Sequence, residues 1–200
     1  VSRRSDVEMS QLRASGTVRP IVRWSEPVLH TPARPVTDFG PDLQALLADM
    51  FATNTAAEGA GLAAAQVGVG LAVFVYDCTD ENGKRRAGVI CNPELELPQG
   101  DERRLVELTE GCLSYPGGYA PLARPSHATC RGRDHHGEPV TVTAAGILGR
   151  CLQHETDHIN GMVFGDRLSA RGRRQMRTLH EEAVSRYPDD WPVSPAAPRD

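Results

Sequence analysis

Nowhere in this chain does an unbroken apolar run approach the ~18 residues of a membrane helix, and no apolar segment follows the basic residues near the N-terminus. The protein is therefore expected neither to span a membrane nor to carry a standard secretory signal. Positive charge is not in excess either: the formal net charge is −4, which argues against a general nucleic-acid binder. DNA is not an expected partner, and any RNA contact should be local. Paired cysteines are missing as well. Cys78, Cys91, Cys112, Cys130 and Cys151 lie scattered in or beside apolar stretches with no CxxC spacing, so neither a disulfide framework nor a cysteine-framed structural zinc is expected. A reducing cytoplasm fits this usage best, and a single cysteine acting as a lone metal ligand is the sharper expectation. There is no internal repeat.

What is present is an ordinary globular composition, 40% hydrophobic and 24% charged over 200 residues, which points to one domain with tails. Residues 1–18 read as a mobile arm or marginal helix, 19–187 as the folded domain and 188–200, PDDWPVSPAAPRD, as a disordered Pro-rich tail. The prolines of PIVRWSEPVLHTPARPV favour an extended stretch lying along the domain. Asp38 or Thr37 is then placed to cap a helix whose apolar stripe is Leu43, Leu46, Leu47, Met50 and Phe51. Strands are expected at 71–78, 87–92 and 105–108, and a hairpin at 127–133 and 139–143 around DHHGE. The stretch 109–118, TEGCLSYPGG, reads as a loop. A final helix is expected over 169–187, with Met176, Leu179, Ala183 and Tyr187 on one stripe.

The chemistry concentrates in QHETDHING, 153–161. Residues four apart on a helix lie one above the other, so His154 and His158 can aim two imidazoles at one divalent cation while Glu155 flanks it. Thr143 is expected to cap this helix and Gly161 to end it. Ile147, Cys151, His154 and His158 share one face, whose apolar end leads into the histidine pair.

A catalytic metal usually takes three protein ligands, and the third decides the family. A metzincin would carry a third histidine where this chain has Phe164. Glu181 or Glu182 could serve a zinc peptidase, but both sit among other charges on an apparently solvated face. Cys112, in a glycine-flanked loop, is the better candidate, because a thiolate is the stronger donor.

Three separated stretches, GAGLAAAQ at 59–66, EGCLS at 110–114 and QHETDH at 153–158, together resemble peptide deformylase. The resemblance runs through roughly residues 20–185. It implies an α+β fold with antiparallel sheets packed around a central HExxH helix, and removal of the N-formyl group from nascent polypeptides that begin with formyl-methionine. It also implies Cys112, His154 and His158 as metal ligands and Glu155 as general acid/base. One divalent ion per chain would be Fe(II), with zinc, nickel or cobalt able to replace it. The Gln66 side-chain amide and the Leu113 backbone N–H match the family's donors to the formyl oxygen. Gly61, Leu108, Gly111, Ile147 and Cys151 match its substrate-contacting positions.

Two departures from the family pattern stand out: Tyr119 where many members have an arginine that binds the substrate backbone, and Arg150 where some have an apolar pocket residue. The resemblance further implies docking near the ribosomal tunnel exit through a final helix rich in arginine, with Arg167, Arg171, Arg173, Arg174 and Arg177 in or beside it. The readings opposed to this one are a zinc peptidase using Glu181 or Glu182, and a non-catalytic metal-binding module of the same fold.

Overall fold

The computed structural model describes residues 2–198, with side chains from Glu8 onward. The first residue of the expected arm and the last two of the expected tail lie outside the described residues.

The helices are α1 (Ser2–Ala14), α2 (Pro41–Ala56), α3 (Gly146–Ile159), α4 (Phe164–Arg167) and α5 (Ala170–Ala183). The strands are β1 (Gly61–Ala63), β2 (Val73–Thr79), β3 (Arg85–Glu96), β4 (Leu105–Gly111), β5 (Tyr119–Pro125), β6 (His127–Arg133) and β7 (Pro139–Ala145). They form a five-stranded sheet in the order β1-β2-β3-β6-β7 and a two-stranded sheet β4-β5, all antiparallel. This is the expected α+β architecture, with α3 at its centre.

The apolar run of β2 is continuous because both of its faces are covered. Val73 and Val75 join Leu43, Leu47, Met50 and Phe51 of α2 in one cluster, while Phe74 and Tyr76 join Leu148, Cys151 and Leu152 of α3 in another. Each such large side chain contributes about 1.5–3 kcal/mol on burial. Those two clusters clamp the sheet, and through it they fix the helix that carries both histidines.

Several local expectations change. Helix α2 begins at Gly40–Pro41 without a side-chain cap, because the Asp38 carboxylate instead accepts the Gly40 N–H. Helix α3 is not capped by Thr143, since β7 runs on to Ala145 and the helix starts at Gly146. Gly161 does end α3, in the left-handed conformation (φ 73°) that glycine adopts at little cost. The expected loop at 109–118 is partly strand: β4 extends through Gly111, and β5 pairs with it from Tyr119 onward. Helix α5 closes at Ala183, and a short 3-10 turn follows at Val184–Arg186.

Both tails belong to the domain. Helix α1 occupies the stretch read as a mobile arm or a marginal helix, burying Leu12 against the α2 cluster with Met9 beside it, and Arg13 pairs with the buried Asp77. The Pro-rich tail, expected to be disordered, packs on the domain. Trp191 is buried in the same cluster and stacks edge-on against Tyr187, and the Ala197 N–H donates to the Arg186 carbonyl. One large aromatic in a short Pro-rich segment supplies the apolar area that its composition hides.

The extended stretch after Pro20 positions the site directly. Its backbone N–H groups donate from Ile21 to Trp191, from Val22 to Gln66 and from Trp24 to Ser114.

Candidate active site

Three elements converge on one cleft of about 680 Å³. Helix α3 supplies His154 and Glu155, with His158 fully buried one turn further on; the end of β4 delivers Glu110 and then Cys112; and a 3-10 turn, Ala64–Val67, presents Gln66. Gln66 is held from two sides. Its Oε1 accepts the Ala63 N–H at 2.9 Å, which turns its Nε2 toward Cys112 Sγ at 3.7 Å and Ser114 Oγ at 3.4 Å. That leaves an amide donor fixed over the cysteine.

One ligand atom from each of Cys112, His154 and His158 lies within 4.8 Å of the others. Cys112 Sγ and His158 Nε2 are 3.4 Å apart, close to the ~3.5 Å that separates two tetrahedral ligands at ordinary metal–sulfur and metal–nitrogen lengths. His154 uses Nδ1 on Glu110 Oε1 at 2.7 Å, which orients the ring and frees Nε2, as outer partners of metal-binding histidines do. These donors therefore fit a divalent cation.

Glu155 is buried among them, and its Oε2 has no hydrogen-bond partner among the described residues. Burial raises its carboxyl to about 7. Burial alone would lower the His154 imidazole, but hydrogen bonds to Cys112 and Glu110 outweigh it and hold the ring well above its ordinary value. His158 is pushed well below by burial and by the neighbouring His154.

Glu110 stands at the head of a buried ionic chain that the sequence did not suggest. Arg124 donates to it through Nε and Nη2 at 2.9 and 2.7 Å and reaches Asp157 through Nη1 at 3.0 Å, while Arg167 closes on Asp157. Burial raises the Glu110 carboxyl, yet the hydrogen bonds from His154 and Arg124 prevail and hold it well below the usual carboxylate range. Leaving such a buried charge unpaired typically costs about 3–5 kcal/mol. Arg150 also joins this chain, donating to Glu110 Oε2 at 2.7 Å and to the carbonyls of Leu122 and Val106. At a position where the resemblance suggested an apolar pocket residue, Arg150 braces β4 and β5.

Of the expected substrate positions, Gly61, Gly111, Ile147 and Cys151 line the cleft, as do Leu113 and Tyr119. Leu108 does not: the lining begins at Thr109, one residue further along β4, and Leu108 is 46% exposed. Ile147 stands at the rim, 53% exposed, so the face it shares with the histidines runs from solvent inward. Trp191, Pro192, Pro195 and Ala196 form part of the wall, a contribution of the tail that its composition concealed.

Gly61 is where close approach matters most. A Cβ there would lie 2.6 Å from Cys151 Sγ and 2.9 Å from Glu155 Oε1. Gly61→Ala is expected to displace Glu155 and lower kcat by roughly 10- to 100-fold, the scale of a small misplacement of a reacting group. Metal content should be unchanged. Steady-state kinetics beside metal analysis checks this, and an unaltered kcat would mean that Glu155 tolerates the shift.

A His-Glu-x-x-His helix beneath a cleft that also receives a cysteine marks a metal-dependent hydrolase. The family model described as polypeptide deformylase matches residues 18–174, and the chain belongs to that family. It is 52% identical over 176 residues to peptide deformylase 1 of Streptomyces avermitilis, covering 88% of this chain and 82% of that one. It is 48% identical over 163 residues to peptide deformylase 2 of Streptomyces coelicolor, covering 82% and 89%. Among solved structures, a peptide deformylase from Legionella pneumophila superposes with a TM-score of 0.74 at 38% identity, covering 86% of this chain and all of that one. The enzyme from Synechococcus elongatus in complex with actinonin gives 0.72 at 34% identity, covering 82% and 86%. The activity is metal-dependent removal of the N-formyl group from the formyl-methionine that begins nascent polypeptides, with release of formate.

Proposed function

We propose that Cys112, His154 and His158 hold one divalent metal ion per chain, that Glu155 carries the proton, and that Gln66 and the Leu113 backbone N–H receive the oxyanion formed from the formyl oxygen. The observation that carries this reading is the convergence of the three donor atoms beside a buried carboxylate with an unpartnered oxygen. A divalent cation held there would supply Lewis acidity and would lower the pKa of a water toward ~7. Glu155 accepts the proton of the attacking water and returns it to the departing amine nitrogen, so that formate and a free N-terminus result. The Gln66 Nε2 group is held by its own Oε1 contact and does not have to reorganise as the oxyanion forms. Losing one such donor typically costs about 3–4 kcal/mol of barrier.

The metal proposed is Fe(II), on the family resemblance. The thiolate and imidazole donors also suit zinc, nickel and cobalt. Gly61, Gly111, Ile147 and Cys151 are proposed to contact the methionyl end of the substrate, with Tyr119 on the wall where many relatives place an arginine. The reading is tested by formate release from formyl-Met-Ala, using protein loaded with Fe(II) or Ni(II) without oxygen. Formate in step with bound metal supports it; metal-loaded protein that releases none contradicts it.

The cytoplasm, where nascent chains are made, is the compartment proposed. Among the described residues no helix is long and apolar enough to cross a membrane. Docking on the ribosome through the basic region around α5 is proposed in a narrowed form. Arg167 is tied to Asp157, Arg173 to the Leu168 carbonyl and Arg177 to Tyr115, whereas Arg171 and Arg174 remain exposed. Reversing the charge of both is expected to weaken low-salt co-sedimentation with ribosomes and to reduce the salt slope of binding by roughly 2. Unchanged co-sedimentation would remove this surface from consideration.

A further inference from the structure

We propose that Glu8, His135 and His136 form a second divalent-metal site, of the zinc or nickel class, that staples helix α1 to the turn between β6 and β7. One ligand atom from each residue lies within 4.8 Å of the others. His136 Nε2 is 3.2 Å from Glu8 Oε2, near the ~3.4 Å between two tetrahedral ligands of one zinc ion. The two imidazole rings lie with centroids 4.0 Å apart, tilted 40° to one another.

The second observation is His135 itself. It is only 4% exposed, and neither of its ring nitrogens has a hydrogen-bond partner among the described residues. A polar group buried in that way is costly to leave unpaired, and a bound cation would offset that cost by taking one lone pair. A plain surface pair between Glu8 and His136 gives His135 no role.

The backbone fixes this arrangement independently of any metal. Asp134 Oδ1 accepts the N–H groups of His136 and Glu138 at 2.8 and 3.0 Å, and Gln44 of α2 donates to the His135 carbonyl at 2.6 Å. Asp134 is thereby committed to the turn, and the donors that lie within reach of one another are two imidazoles and the Glu8 carboxylate. Three such ligands with a further position open to water is a common zinc set. The site lies on a different element pair from the cleft, and it would tether α1 at Glu8 in addition to the Leu12 contact and the Arg13 pair.

The test uses the full chain with its catalytic site already loaded with Ni(II), dialysed against increasing free Zn(II). A further equivalent of zinc should bind to the wild type and slow proteolysis within α1. Glu8→Gln and His136→Gln, both at exposed side chains, should each abolish that equivalent while formate release stays within about 2-fold, since neither lies in the catalytic cleft. Failure of the loaded wild type to bind more zinc would overturn the proposal. So would retention of the extra equivalent in either variant, which would mean adventitious binding elsewhere on the surface.

Discussion

Replacing Glu155 by Gln is expected to leave fold and metal content intact while turnover falls by ~10²- to 10⁴-fold, the range typical of lost acid/base catalysis. The amide keeps the shape of the carboxylate, and the space it occupies is bounded by Gly61 of β1 and by Cys151 one turn back on α3. It cannot accept a proton. Because Glu155 Oε2 makes no hydrogen bond to the described residues, the substitution also breaks no structural contact on that side. The check is formate release at saturating peptide and full metal loading, beside metal analysis of the same sample. Near wild-type turnover would assign the proton to another group.

Cys112→Ala should behave differently, losing metal and activity together. Its thiol faces His158 Nε2 at 3.4 Å and receives the Gln66 amide. Without it two imidazoles remain, and the loss of metal affinity should exceed the ~10- to 100-fold typical when only an outer partner of a ligand is removed. Metal analysis after dialysis against a weak chelator measures this. Retained metal with retained activity in Cys112→Ser would favour the zinc-peptidase reading, which needs Glu181 or Glu182. Those two lie exposed on α5, and neither lines the cleft, which speaks against it.

How much of this could be read from sequence depends on whether a signal was local. Helices α2 and α3 and strand β2 carry their periodicity or apolar run within a few residues, and all three are present, although the N-cap residues of α2 and α3 fall two or three residues past the expected ones. Strand β5 was hidden by Pro121 and Pro125, which argue against a central strand. In a two-stranded sheet each strand keeps a free edge, so a proline lacking its N–H is tolerated there. The contact of Leu12 with the α2 cluster and the insertion of Trp191 are long-range events, and no local composition announces them.

The same division holds in the site. Cys112, His154, Glu155 and His158 were legible as two short motifs and a resemblance, and the fold brings them together. Glu110 lies inside the EGCLS stretch, but its purpose appears only when Arg124 and Arg150 close around it. Arg150 did carry a usable signal. It stands four residues before His154 on α3, so both side chains reach the same carboxylate from one helix face. Arg124 had none, being set beside Glu110 by the pairing of β5 with β4.

The central claim is that one sulfur and two imidazole nitrogens from Cys112, His154 and His158 hold the metal. X-ray absorption at the metal edge of zinc-loaded protein measures those ligands without reference to activity. With zinc supplied at one equivalent, the spectrum should show one sulfur at ~2.3 Å and two nitrogens at ~2.0–2.1 Å, and Cys112→Ala should lack the sulfur shell. A wild-type spectrum with nitrogen and oxygen alone would contradict the claim.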